Sequence, residues 1–326
     1  MKNGVHKSRI LQYGIILSWL LVIANGCMKK IVDFELEFIK EGDIPGLSSA
    51  SGIEIEGDTM YIVGDDTPWL FLLNNEMAIT ERIRISPDAE TVDGRIIKQE
   101  KRDYEALTFA SLNGNRELFA FGSGSLPEKR DFMYRWPGAG AGREYDLHNL
   151  YERLRQILHD KGAEMNLEAA AFWNNQLLLF NRGGNILFLF DSYELYQYLE
   201  DGKNIPNPEV RQYKLPEING IEAGFSGAQL LAGTDLVVFT ATIEDTEDWY
   251  QDGEILGSFI GILDLNDQQS KELVCKQVMK GDKPYPGKLE SIVIKEEKGD
   301  QLTAVVVRDN DDGTSSFVEM RLFFKR

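Results

Sequence analysis

Tyr104-Glu105-Ala106-Leu107-Thr108-Phe109 decides the fold, because versions of this strand start recur along the chain. The five versions are Ser-Gly-Ile-Glu-Ile-Glu at 51–56, Glu-Ala-Leu-Thr-Phe at 105–109, Glu-Ala-Ala-Ala-Phe at 168–172, Ser-Gly-Ala-Gln-Leu at 226–230 and Glu-Ser-Ile-Val-Ile at 290–294. Their starts are 54, 63, 58 and 64 residues apart. Such intervals are typical of a repeated unit of about 40–50 residues that carries insertions.

Each strand start is followed by a turn and a second, more apolar strand. These second strands read Met-Tyr-Ile-Val at 60–63, Leu-Phe-Ala-Phe at 118–121, Leu-Leu-Leu-Phe at 177–180, Leu-Val-Val-Phe at 236–239 and Ala-Val-Val-Val at 304–307. Turn residues such as Gly57-Asp58 separate the paired strands, so each pair is predicted to be a hairpin. Third and fourth strands are predicted at 69–73 and 79–85 in the first unit, and at 186–190 and 210–215 in the third.

The two ends of the chain complement each other. The last unit has no fourth strand before Arg326, whereas residues 31–39 form an orphan strand near the start. Pairing that strand into the last unit closes a ring and removes exposed edges. The sequence therefore predicts an all-β fold: a β-propeller of five blades, with six as the alternative. A β-sandwich does not explain five copies of one hairpin start.

Two helical segments are predicted to interrupt the repeats. Apolar residues follow helical spacing from Leu147 to Leu158, with Asp146 as the candidate N-cap, and a shorter segment runs from Ser192 to Leu199. Both are interpreted as packing elements inserted into the second and third units. A helix that binds a partner is the alternative.

Composition excludes several functions. The 326 residues carry a net charge of −18, and without residues 1–26 the chain has 32 basic against 53 acidic residues. Nucleic acid is not an expected partner, because binding it needs a basic surface. Only three histidines occur, one in the leader and two in a predicted helix, so a His-rich zinc site or a Ser-His-Asp triad is not expected in the repeats.

The N-terminus is typical of exported proteins. Basic residues precede an apolar run from Ile10 to Ala24, and Gly26-Cys27 follows. The run is short for a membrane span, and a small residue before a lone cysteine resembles the lipobox of bacterial lipoproteins. That resemblance implies a signal peptide at 1–26, lipid on Cys27 and, with Met28 rather than aspartate next, sorting to the outer membrane of a Gram-negative cell. A plain signal peptide or an uncleaved anchor is the alternative. Residues 27–326 are then a single propeller domain.

Only one other cysteine is present. If Cys27 carries lipid, Cys275 has no disulfide partner. Strand alternation puts Cys275 on the same face as Leu273, which predicts a buried, inert thiol rather than a nucleophile.

The repeated Glu-Ala or Glu-Ser start resembles the inner strands of phytase-like and esterase-like propellers and of the gluconolactonase and regucalcin group. In the gluconolactonase group, such a glutamate helps to hold a divalent metal in the channel; the other ligands of that site have no match here. A closer resemblance is to uncharacterised propeller lipoproteins with no assigned reaction.

Repeat geometry predicts a common rim of polar residues. In a meandering blade the first strand starts at the end where the second finishes, so both sets of residues share one face. The rim candidates of the site are Asp65, Asp66, Glu105, Glu168, Arg182, Glu222, Glu290 and Arg308. Glu222 is ambiguous, because Glu-Ala at 222–223 and Ser-Gly at 226–227 compete for the repeat register.

Two interpretations of this rim remain open. In the first, the acids and arginines neutralise one another around a channel that binds a ligand or a partner protein at the cell envelope. In the second, Glu105, Glu168 and Glu290 hold a cation such as Ca²⁺ for the hydrolysis of a phosphoester, ester or lactone. The first predicts arginines paired with glutamates, and the second predicts a tight acid cluster with an unpaired base.

Overall fold

The computed structural model describes residues 33–86, 88–245, 253–269 and 273–325, and it is a β-propeller of five four-stranded blades. Strand β1 (Asp33–Asp43) comes first. Blade I then contains β2 (Ala50–Glu56), β3 (Thr59–Gly64), β4 (Trp69–Leu73) and β5 (Ile79–Arg84), and a hairpin follows of β6 (Thr91–Val92) and β7 (Arg95–Ile96). Blade II contains β8 (Tyr104–Ala110), β9 (Glu117–Gly122), β10 (Phe132–Trp136) and β11 (Arg143–Asp146), and helix α1 (His148–His159) follows.

The second half repeats this plan. Blade III contains β12 (Leu167–Trp173), β13 (Gln176–Asn181), β14 (Ile186–Asp191), helix α2 (Ser192–Asp201) and β15 (Glu209–Gln212), and a hairpin follows of β16 (Glu217–Ile218) and β17 (Ile221–Glu222). Blade IV contains β18 (Gly224–Leu230), β19 (Leu236–Asp245), β20 (Glu254–Asp264) and β21 (Val274–Gln277), and a hairpin follows of β22 (Met279–Lys280) and β23 (Lys283–Pro284). Blade V contains β24 (Ser291–Lys298), β25 (Gln301–Asp309), β26 (Ser315–Lys325) and β1.

The N-terminal strand closes the ring by pairing with the last blade. β1 pairs antiparallel with β26, from Asp33 opposite Lys325 to Asp43 opposite Ser316. Its fully buried Phe34 packs edge-on against Phe324 at a centroid distance of 6.4 Å. The strand runs further than the predicted 31–39, and residues 31 and 32 lie outside the described part of the chain.

The recurring motif has a steric cause. Ser51, Glu105, Glu168 and Ser226 are each the extra residue of a β-bulge near the start of an inner strand, and Glu290 directly precedes the fifth. The next residue is small in every blade, and the five are Gly52, Ala106, Ala169, Gly227 and Ser291. A Cβ on Gly52 would lie 2.8 Å from the Glu105 carbonyl oxygen, and one on Gly227 would lie 2.4 Å from the Ser291 Cα. Inner strands converge so closely here that a small residue is required.

We call the end of the ring where the inner strands begin the mouth face, and the opposite end the base face. Polar side chains bridge the channel below the mouth. Gln229 of blade IV donates to Glu54 Oε2 of blade I at 3.3 Å, and its Oε1 accepts from the Ile294 N–H of blade V at 2.6 Å. Because blades I and IV are not neighbours, the Gln229–Glu54 bond crosses the ring axis and gives the channel a floor.

Both predicted helices are present. The apolar stripe of α1, which includes Leu150, Leu154 and Leu158, is buried. Its N-cap position is Leu147 rather than the predicted Asp146, although the Asp146 carboxylate still accepts from the His148 N–H at 2.8 Å. Helix α2 runs to Asp201, two residues beyond the predicted end. Within the described ranges neither helix, at 12 and 10 residues, is long and apolar enough to cross a membrane.

Three short hairpins stand on the mouth face between blades. The turn residues Asp93-Gly94 and Asn219-Gly220 all have positive φ, from 52° to 83°, as a two-residue type I′ turn requires. The sequence pattern gives no indication of these hairpins. They extend the wall around the end of the channel.

Candidate functional site

A polar cavity of about 340 Å³ lies at the mouth face. We call it the mouth cavity. All five blades or the segments leading into them line it, because strand starts and second-strand ends meet there. Its charged lining residues are Asp65, Lys98, Lys101, Asp103, Glu105, Arg130, Glu168, Arg182, Glu222, Glu244 and Lys288.

The positions two residues before the inner-strand glutamates supply part of this lining. Asp103 precedes Glu105, Asn166 precedes Glu168, and Lys288 precedes Glu290, each by two residues. Residues two apart in an extended chain point the same way. A repeated backbone therefore presents different side chains at equivalent places around the cavity.

A buried lysine organises one side of the cavity. The Lys101 ammonium contacts both Asp65 and Asp103, at 2.7 Å from Asp103 Oδ1, and only 10% of the Lys101 side chain is exposed. Arg130 Nη1 lies 2.7 Å from Asp103 Oδ2. Burial opposes ionisation of Asp103, but Lys101 and Arg130 outweigh it and lower the Asp103 pKa. Asp103 is thus a charged acceptor shared by two cations.

The other side holds two cations among three glutamates. Arg182 Nη2 lies 3.1 Å from Glu244 Oε1, and Arg182 Nη1 lies 3.9 Å from Glu168 Oε1. Lys288 Nζ lies 3.1 Å from both Glu244 and Glu290. Burial raises the pKa of Glu168 to about 7 and that of Glu290 to about 8, despite the cations beside them. Burial thus keeps both carboxyls protonated to a higher pH than an exposed glutamate.

Glu105 differs from the other acids of the cavity. Among the described residues no hydrogen-bond donor and no cation within 4.0 Å engages its carboxyl. Burial first, and then the negative charges of Asp103, Glu168 and Asp65, raise the Glu105 pKa well above its ordinary value. A carboxyl that keeps its proton in a polar cavity can donate a hydrogen bond, exchange a proton with a ligand, or ionise when a cation arrives.

Two buried guanidinium groups also have unused donors. Arg182 is 6% exposed and its Nη1 makes no hydrogen bond within the described chain; Arg130 is 6% exposed and the same holds for its Nε. Gly224 makes room for Arg182, since a Cβ there would lie 2.4 Å from Arg182 Cγ. Buried donors of this kind normally have a partner, so each is a candidate contact for a ligand.

Five of the eight predicted rim residues line the mouth cavity. They are Asp65, Glu105, Glu168, Arg182 and Glu222. Glu222 lies in the hairpin of β16 and β17, where its Oε1 accepts from the Leu215 N–H at 2.7 Å. The bulge at Ser226 settles the register in favour of Ser-Gly at 226–227.

The remaining three rim residues lie beside the cavity. Glu290 is buried against Lys288. Asp66 binds Arg95 at 2.5 Å and thereby holds the hairpin of β6 and β7. Arg308 lies against Gly287 and reaches the Tyr285 hydroxyl at 3.4 Å.

One set of carboxylates has metal-ligand spacing in the described residues. Oxygen atoms of Asp65, Asp103 and Glu105 lie within 4.8 Å of one another. The predicted trio differs in two members: Glu168 and Glu290 are instead held by Arg182 and Lys288. Lys101 contacts two of the three clustered acids, so its ammonium already supplies positive charge at this place.

Sequence reasoning missed several cavity residues. Lys101, Asp103, Arg130 and Lys288 were not predicted, although the two-residue spacing before Glu105 and Glu290 would have indicated Asp103 and Lys288. Cys275 is remote from this chemistry on the outer strand β21, where burial raises its thiol pKa to about 12. It is half-buried rather than buried, and the raised pKa agrees with an inert thiol.

Comparison with known proteins extends these findings. A sequence model for a family of unknown function (DUF6929) matches residues 46–322. No curated protein matches the chain. Glutaminyl cyclase from Myxococcus xanthus is similar in structure, with a TM-score of 0.51 and 12% identity over 91% of this chain and 100% of that one. The PQQ-bound aldose sugar dehydrogenase of Streptomyces coelicolor has a TM-score of 0.45 and 12% identity over 89% and 98% of the two chains. At 12% identity the likeness to glutaminyl cyclase concerns the fold alone.

Proposed function

We propose that the mouth cavity binds a small polar ligand at the bacterial cell envelope. The chain itself belongs to the DUF6929 family of unknown function. One observation carries this proposal. A cavity of about 340 Å³ is walled by charged side chains from around the whole ring. This volume is at the lower end of the range that holds small molecules in proteins.

The polar groups in the cavity support binding rather than a purely structural network. Ion pairs account for Lys101, Arg130 and Lys288. Among the described residues they leave the Glu105 carboxyl without a hydrogen bond, and Arg182 Nη1 and Arg130 Nε also make none. Unused buried polar groups are costly to a fold, so a ligand that satisfies them gains binding free energy.

The envelope location rests on the N-terminal sequence. Cys27 and the leader lie outside the described residues, and lipid on Cys27 with sorting to the outer membrane is part of the proposal. β1 begins at Asp33 on the base face, opposite the mouth cavity. The six residues from Cys27 to Asp33 span at most about 20 Å. A lipid at Cys27 would therefore turn the base face to the membrane and the cavity to the aqueous compartment.

A binding experiment with defined probes tests the ligand proposal. Saturation-transfer NMR is recorded separately with glycinamide, succinate and glucose, and melting temperature is followed with calcium chloride. Ile221→Trp adds bulk at the cavity wall, and Ile205→Trp makes the same change at an exposed site outside the cavity. We expect at least one probe to bind the wild type and Ile205→Trp but not Ile221→Trp. Binding by no probe, or binding that survives Ile221→Trp, contradicts the proposal.

A metal-dependent hydrolase of a phosphoester, ester or lactone is the second candidate, favoured by the spacing of Asp65, Asp103 and Glu105. Calcium should then raise the melting temperature in a saturable way. Asp65→Asn abolishes that rise if the cluster holds the ion, whereas Glu168→Gln abolishes it if Glu105, Glu168 and Glu290 do. Without any calcium response this candidate fails.

A further inference from the structure

We propose that the ligand of the mouth cavity is a small primary amine that also carries a hydrogen-bond acceptor. Its ammonium group binds at Glu105, and its acceptor oxygen receives a hydrogen bond from Arg182 Nη1. This inference rests on the proposed ligand-binding function and names the chemical class of the ligand.

The ion pairs around the cavity assign the ammonium to Glu105. Lys101 and Arg130 are paired with Asp103, and Lys288 is paired with Glu290. Glu105 has no comparable partner among the described residues, although Asp65 and Asp103 offer oxygen atoms within 4.8 Å of its own. An ammonium group with three N–H donors fits such a set of acceptors.

The opposite contact comes from Arg182. Its side chain is 6% exposed and lines the cavity, and Nη2 is engaged by Glu244 while Nη1 has no hydrogen-bond acceptor in the described chain. Gly224 leaves the space in which the guanidinium lies. A carbonyl or hydroxyl oxygen on the ligand would complete this donor.

The lining disfavours other ligand classes. A carboxylate ligand at Glu105 would lie beside Asp103, whose lowered pKa keeps it ionised, and would be repelled by it. None of the described residues that line the cavity is aromatic, so a sugar ring has no platform for stacking.

Proton release is a consequence of this mode of binding. The neighbouring acids raise the Glu105 pKa, so the unliganded carboxyl holds a proton to higher pH than usual. An arriving ammonium stabilises the carboxylate, and the proton passes to the buffer. Affinity for the amine should therefore rise with pH until the amine itself loses its charge.

Titration calorimetry with a matched pair of probes tests the inference. Glycinamide carries the ammonium and a carbonyl oxygen, whereas N-acetylglycinamide keeps the amide and lacks the charge. Each is titrated at pH 7 in PIPES and in HEPES, buffers that contain no primary amine and differ in ionisation enthalpy. We expect binding of glycinamide alone, with buffer-dependent heat that reports proton release.

Variants locate the contact. Glu105→Gln and Arg182→Met should each weaken glycinamide binding at least 10-fold, and only Glu105→Gln should also abolish proton release. Glu81→Gln, an exposed site on β5, should leave the affinity within 2-fold. Melting curves confirm that each variant is folded. Glutamine has nearly the same shape as glutamate and lacks only the ionisable group. A folded Glu105→Gln variant that releases no proton has therefore lost the carboxyl and not the fold.

Defined results overturn the inference. Equal binding of the two probes, or full affinity in Glu105→Gln, shows that the ammonium contact is wrong. If glycinamide does not bind but succinate, glucose or calcium does so in a manner blocked by Ile221→Trp, the ligand class is wrong while the proposed function stands. If none of these probes binds, both fail.

Discussion

Phe34→Ala tests whether the N-terminal strand holds the ring closed. Phe34 is fully buried between blade V and its neighbour, and it packs edge-on against Phe324 in the core that also contains Ile260 and Val318. Removing a buried phenylalanine side chain costs about 3–5 kcal/mol, from lost transfer free energy and the cavity left behind. Domains of ordinary stability have a free energy of unfolding of about 5–15 kcal/mol, so this loss is a large fraction of it.

Urea unfolding followed by tryptophan fluorescence measures the effect. Glu37→Ala is the matched control, because Glu37 lies on the same strand and its ion pair with Arg321 is exposed. Exposed pairs contribute about 0–1 kcal/mol, so the control should unfold close to the wild type. A loss below about 1 kcal/mol for Phe34→Ala would show that β1 is dispensable and that the closure is wrong.

Three further predictions address the anchor, the floor of the channel and the cavity. Cys27→Ser should move the protein from the detergent phase to the soluble fraction on phase separation, and unchanged partition would refute the lipid anchor. Burial raises the pKa of Glu54 to about 7, so its ionised form destabilises the fold as pH rises. Glu54→Gln should therefore match the wild type in urea unfolding near pH 4 and exceed it by up to about 3 kcal/mol above pH 8. A pH-independent difference would contradict this. Gly224→Ala places a Cβ 2.4 Å from Arg182 Cγ and should displace that side chain, so glycinamide affinity should fall at least 10-fold while affinity in Gly233→Ala, on a distant turn, does not.

The fold could be predicted because one steric requirement is repeated. A bulged residue followed by a small one marks the place where inner strands meet, and Glu105-Ala106 and Ser51-Gly52 are two solutions to it. The closing strand was also predictable, since the last unit lacked a partner. The end of this strand at Asp43 could not be predicted. Apolar and polar residues alternate only weakly along β1, and its register shifts at a bulge between Phe38 and Lys40.

The cavity could be predicted only in part. Acids at strand starts share a face by repetition, which identified Glu105 and Glu168. Lys101 and Arg130 come from connecting segments whose path depends on tertiary contacts, so no periodicity indicates them. Arg308 was predicted from its place in the repeat to lie on the rim. Its side chain instead points to Tyr285 beside the cavity.

A crystal structure of the domain soaked with glycinamide tests the central claim most directly. We expect electron density for the probe inside the mouth cavity, with its nitrogen within hydrogen-bonding distance of the Glu105 carboxylate and its oxygen within hydrogen-bonding distance of Arg182 Nη1. Two results would contradict this expectation. Density could appear only in the lateral groove beside Trp69 and Phe71, or no density could appear and another residue of the protein could bind the Glu105 carboxyl.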